Sequence, residues 1–133
     1  MTAKIAAFET ALSVFCDKHK IKSKRWTEIP RAQVFEISAP ADILMYVKDS
    51  ALPSGWWGIA FTVFNRLSAS TPDWWLVLLV RDGEEGYALT ATQVNGMVSG
   101  LSKNATEHIF HETDAAAGLH FKTFEALYQH LVA

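Results

Sequence analysis

The sequence predicts an α/β fold, a single domain over 1–133 in which one mixed β-sheet is flanked by helices. Three observations lead there. Apolar residues recur at helical spacing near both ends of the chain, as in "KIAAFETALSVF" and "FEALYQHLV". The stretch "WWLVLLV" is apolar throughout and bounded by "STP" and "RDG", which is how a strand covered on both faces reads. Between these features the expected elements run α-β-β-β-α-β-β-α-β-α, and strands in a run pair antiparallel while those separated by a helix tend to pair parallel.

The first helix follows from Ile5, Phe8, Leu12 and Phe15, three and four apart, with Thr2 as its cap and lysines from Lys18 onward at the negative end of its dipole. "RWTEIP" and "RAQVFEIS" read as extended segments, the second rich in β-formers at Val34, Phe35 and Ile37. "DILMYVK" is the third strand, after a turn marked by Pro40 and Asp42. "ALPSGWW" is a turn by composition, and Ala60, Val63, Phe64 and Leu67 predict a short helix after it. "DWWLVLLV" follows as the central strand, with Trp75, Leu76, Leu78 and Val80 expected in the core. "RDGEEG" turns the chain into "YALT", and Thr90 caps a helix from Ala91 that carries Val94, Met97 and Val98. "EHIFHE" is a further strand, "TDAAAG" a loop, and the last helix carries Phe121, Phe124, Leu127, Tyr128 and Leu131 on one side.

Composition excludes several classes. Half the residues are apolar and a fifth charged, which suits a globular core and not a disordered chain. No apolar run approaches the roughly 20 residues of a spanning helix. The N-terminal stretch holds Glu9 and Asp17 and no secretory pattern, so a cytoplasmic location is expected. Cys16 is the single cysteine and reads as a buried small hydrophobe. The formal net charge of −2 gives no global attraction to nucleic acid. Locally the balance reverses: Lys18, Lys20, Lys22, Lys24, Arg25 and Arg31, half of the twelve basic residues, fall within fourteen positions that contain one acid, Glu28. Such a run is either a solvated helix end and loop or a phosphate-contacting patch.

The order α-β-β-β-α-β, with an apolar strand ending in Lys48 and then a turn and a helix, resembles the core of the restriction-endonuclease-like fold, the PD-(D/E)XK superfamily. In that superfamily a lysine ends the strand, an acid or amide lies two positions before it, and another acid sits on the preceding hairpin. The resemblance implies metal-dependent cleavage of nucleic acid, with Lys48 as the catalytic lysine and Asp42 or Glu36 holding Mg²⁺. Phosphodiester hydrolysis uses hard cations held by carboxylates, with a lysine to stabilise charge. Two positions before Lys48, however, stands Tyr46, whose phenol does not bind Mg²⁺ as a carboxylate does. The expectation is therefore a nucleic-acid-associated domain without intact nuclease chemistry and with no metal site of its own, Mg²⁺ being required only if hydrolysis survives.

The tryptophans bear on the same question. Trp56-Trp57 and Trp74-Trp75 are adjacent pairs, and neighbours in a strand face opposite ways, so one of each pair belongs to the core while its partner reaches a surface. Exposed indoles at Trp56 or Trp57 would stack on bases beside Lys48, with Lys20, Lys22, Lys24 and Arg25 contacting phosphates of DNA or RNA. The alternative is a small protein-interaction module, a regulator or immunity-type partner, anchored by the same indoles. His108 and His111 lack companions at zinc-ligand spacing, and neither a phosphate loop nor a nucleophile elbow is present.

Overall fold

The computed structural model describes residues 2–29, 32–38, 42–50, 55–70, 73–80 and 84–132. Arg31, Pro40 and residues 51–54 and 81–83, where turns are expected from the sequence, lie outside them. The first helix, α1 (Ala3–His19), is capped by the Thr2 hydroxyl, which accepts from the Ile5 amide at 3.2 Å. It ends at Lys20, whose left-handed backbone (φ 57°) lets its amide reach the last carbonyls of the helix. Three strands follow, β1 (Ser23–Arg25), β2 (Val34–Ile37) and β3 (Ile43–Asp49), each antiparallel to the one before. The first strand begins before "RWTEIP" because Lys24 faces Glu36 and Trp26 donates to the Val34 carbonyl, which places the pairing register upstream.

After β4 (Trp56–Ala60) and α2 (Phe61–Ser70), the strand β5 (Trp74–Val80) pairs parallel to β3. Then come β6 (Glu85–Thr90), α3 (Ala91–Met97), β7 (Ser102–Lys103), β8 (Glu107–His111), α4 (Glu112–Ala115), β9 (Leu119–Phe121) and α5 (Phe124–Leu131). The main sheet runs β1-β2-β3-β5-β6-β9, and a second small sheet runs β4-β8-β7. The expected α/β class and its order of elements are present, with short elements inserted. The second tryptophan pair of the sequence starts the central strand as expected, whereas the first, read as the end of a turn, forms β4. "TDAAAG" contributes to α4, and the segment before the last helix forms β9.

Alternation along the strands divides the core into two halves. Phe35, Ile43, Met45, Val47, Val77 and Leu79 meet Ile5, Phe8, Leu12 and Cys16 of α1 and Phe124, Leu127 and Leu131 of α5. Val34, Leu44, Tyr46, Trp74, Leu76 and Leu78 meet α2, α3 and the small sheet through Trp57, Ile59, Phe64, Leu67, Val94 and Phe110. Both faces of β3 and β5 are thus covered, as the apolar run requires. Leu76 and Leu78 are fully buried, but Trp75 and Val80 are only half-buried: Val80 ends its strand, and Trp75 lies at the rim against His130 of α5. Trp74 is the buried member of its pair. No helix among the described residues is long and apolar enough to cross a membrane.

Leu78→Ala removes a side chain from the centre of the sheet and is expected to destabilise the fold by about 2 to 5 kcal/mol in urea unfolding. His108 supplies a pH test. Its ring lies edge-on to Phe61 and Phe64, its Nδ1 is buried without a hydrogen-bond partner, and burial, aided by Lys103, holds its pKa below the ordinary 6.5. The unfolded chain therefore takes up the proton first. This contribution to stability is complete above pH 6.5 and is lost as the pH falls from there through the lower folded value, a dependence that His108→Leu is expected to reduce.

Candidate nucleic-acid interface

Five successive residues of β3, Ile43 to Val47, are buried, and only its last two, Lys48 and Asp49, emerge. Their side chains leave on opposite faces. Asp49 turns toward α1, where Oδ1 lies 3.2 Å from Lys4 Nζ, an ion-pair distance without hydrogen-bond geometry. Lys48 turns with Tyr46 toward α2. Its ammonium makes no hydrogen bond or ion pair with any described residue.

Lys48 and Tyr46 line a half-open cavity of about 280 Å³. Its walls are apolar at Ile5, Ile29, Ala32 and Val63, and its polar groups come from Gln33, Thr62, Tyr46 and Lys48. Ala60 and the first turn of α2 stand at its side. The Phe61 amide donates to the Thr106 carbonyl, while the amides of Thr62 and Val63 belong to the turn that a helix cannot satisfy by itself. The helix dipole and Lys48 thus favour negative charge in one place.

Tyr46 is almost wholly buried, with its phenol beside the Ala60 backbone at the junction of β4 and α2. Burial, with the nearby Glu107 carboxylate adding to it, pushes its pKa up to about 12 against the opposing influence of the Ala60 backbone, so the phenol stays neutral. Glu107 itself is held by Asn104, whose Nδ2 donates to it at 3.2 Å, and it packs over Gly58, where a Cβ would run into its carboxylate.

The other expected site residues do not gather at Lys48. Asp42 immediately precedes the opposite end of β3, roughly 20 Å away at about 3.3 Å per residue. Glu36 faces Leu44, four positions back along β3, and pairs with Lys24 at 3.5 Å. Lys20 and Lys22 are exposed beyond the Ile37–Ile43 end of the sheet, far from the cavity. Arg25 does lie toward the cavity end, but its guanidinium is engaged: it holds both oxygens of Glu9 at 3.1 Å, donates to Gln33 Oε1 at 2.8 Å and sits over the Phe35 ring. That clamp fastens α1 to the sheet. Trp57, expected as a possible stacking surface, is fully buried and donates through Nε1 to the Leu79 carbonyl at 3.1 Å, so it offers no face to a base. Trp56, at the end of β4 remote from Ala60, is only partly buried, and its amide is held by the Ser50 hydroxyl at 3.0 Å.

Among the described residues the donor set does not fit a divalent cation. No carboxylate is among the described residues lining the cavity, and no group of three His, Cys, Asp or Glu among the described residues is placed to hold a metal ion. What sequence reasoning missed is the set Gln33, Thr62 and Ala60. These residues have no motif in common and meet only through the β2–β3 register and the start of α2.

A solved structure of Hjc, a Holliday junction resolvase from the archaeal hyperthermophile Archaeoglobus fulgidus, aligns with 88% of this chain and 91% of its own at a TM-score of 0.59 and 13% sequence identity. The fold is restriction-endonuclease-like. No protein-family model matches the sequence, and no curated protein matches it either. The likeness covers nearly the whole chain, including the elements after β5 that the sequence resemblance did not reach.

Tyr46→Phe keeps the packing and removes only the phenol oxygen beside the Ala60 backbone. The variant is expected to lose no more than about 1.5 kcal/mol of stability in denaturant unfolding.

Proposed function

We propose that this chain binds nucleic acid at the C-terminal end of β3 without cleaving it. The observation that carries the reading is the cavity beside Lys48: an unpaired ammonium and the first turn of a helix face a space whose described lining holds no carboxylate. Such a place attracts a phosphate but gives a catalytic cation nothing to bind. The fold, shared with a protein described as a Holliday junction resolvase, supports the choice of nucleic acid as the source of that phosphate.

In this reading Lys48 makes the close phosphate contact and the partly buried Trp56 offers the edge of its ring that remains accessible to a base. Lys20, Lys22 and the outer part of Lys24 provide longer-range attraction. Arg25 acts structurally through its clamp on Glu9. Asp42 and Glu36 have no catalytic part, because neither reaches Lys48. If labelled DNA and RNA oligonucleotides fail to bind at low salt, the protein-interaction reading replaces this one.

Fluorescence anisotropy and a nicking assay test the proposal together. Neither plasmid nor single-stranded substrate is expected to be cut with Mg²⁺ or Mn²⁺, and cleavage abolished by Lys48→Ala would overturn the non-catalytic part. Lys48→Ala is expected to weaken binding and to lower the salt slope by about 1. Trp56→Ala is expected to cost about 1 to 3 kcal/mol of binding free energy.

A further inference from the structure

We infer that the Lys48 cavity takes a single unpaired nucleotide, base included, and so selects strand ends or other unstacked positions over continuous duplex. This rests on the nucleic-acid reading above and goes beyond it by naming what the site holds. Three features of the cavity point the same way.

The first is its size. At about 280 Å³ it lies at the lower limit of cavities that enclose small ligands, enough for one monomer and not for a stacked run. The second is the character of its walls. A site for phosphate alone would be polar on every side, yet Ile5, Ile29, Ala32 and Val63 present hydrocarbon, which suits the faces of a base removed from its stack. The third is where the polar groups stand. Lys48 brings a positive charge for the phosphate, while the Thr62 hydroxyl and Gln33 supply hydrogen-bonding groups of the kind a base edge requires. Gln33 is held in place by Arg25, whose Nη1 donates to Oε1, so its orientation is set before any ligand arrives.

A base inside duplex DNA cannot enter such a space without being unpaired and unstacked, at a cost of about a few kcal/mol, whereas a base in an overhang is already free. Discrimination between ends and interiors follows from that difference alone. It needs no reading of sequence.

The test compares a blunt DNA duplex, the same duplex with a two-nucleotide 3′ overhang, and the overhang duplex with abasic nucleotides, each fluorescein-labelled and titrated with the full chain. The overhang duplex is expected to bind about tenfold more tightly than the blunt one, the abasic overhang falling back to the blunt value. Ala32→Trp, which fills the cavity, is expected to close the gap between overhang and blunt duplex. Thr62→Phe fills it from an exposed position that the fold tolerates and is expected to do the same. Equal affinity for blunt and overhang duplexes would overturn this inference while leaving the binding reading intact. Equal affinity for abasic and intact overhangs would show that the cavity holds phosphate without base, and would overturn it too. Failure of all three duplexes to bind would overturn this inference, and failure of single-stranded DNA and RNA as well would remove the binding reading with it.

Discussion

The parallel pairing of β3 with β5 is the constraint on which the rest of the molecule depends. Both strands lie inside the sheet and both bury apolar side chains on two faces, so helices or further strands must cover each face. α1 and α5 close one side. α2, α3 and the small sheet close the other, and the crossover from β3 to β5 carries β4 and α2 with it. The start of α2 is thereby delivered to the end of β3. Lys48 meets a helix N-terminus because a parallel connection has to bring the chain back across the sheet.

Charge at that end is sorted by strand alternation. Of the acids near it, Glu9 and Asp49 are on the α1 face and are matched there by Arg25 and Lys4, while Glu107 lies on the α2 face near Tyr46 and is held by Asn104. The cation left over, Lys48, is on the α2 face. A net charge of −2 therefore conceals a lysine whose strand neighbour Asp49 is turned to the other face, beside a cavity with no carboxylate among its described lining residues, and that local arrangement, more than the total, favours an anion there.

Much of the fold was legible in the sequence, and the physical reasons differ by element. "WWLVLLV" announced a strand covered on both faces because nothing else uses seven consecutive apolar residues bounded by turn signals, and the β3–β5 pairing followed from the helix between them. β4 was not legible: Trp56 to Ala60 has neither clean alternation nor β-branched enrichment, and it becomes a strand only by pairing with β8, fifty residues on. The site shows the same division. Lys48 and Tyr46 could be placed on one face by counting along a strand. That Arg25 would be consumed by Glu9, that Trp57 would lie on the inner side of its pair, and that Gln33 and Thr62 would join Lys48 all depend on register between distant segments, which local pattern does not encode.

The buried phenol of Tyr46 constrains what can stand at this position. A carboxylate there would occupy the side of β3 from which a cation could be approached, but it would lose the packing of the ring in the core and would lie near the carboxylate of Glu107, which already helps raise the pKa of the phenol. A metal ligand at position 46 would thus bring like charge together in a space largely shut off from water.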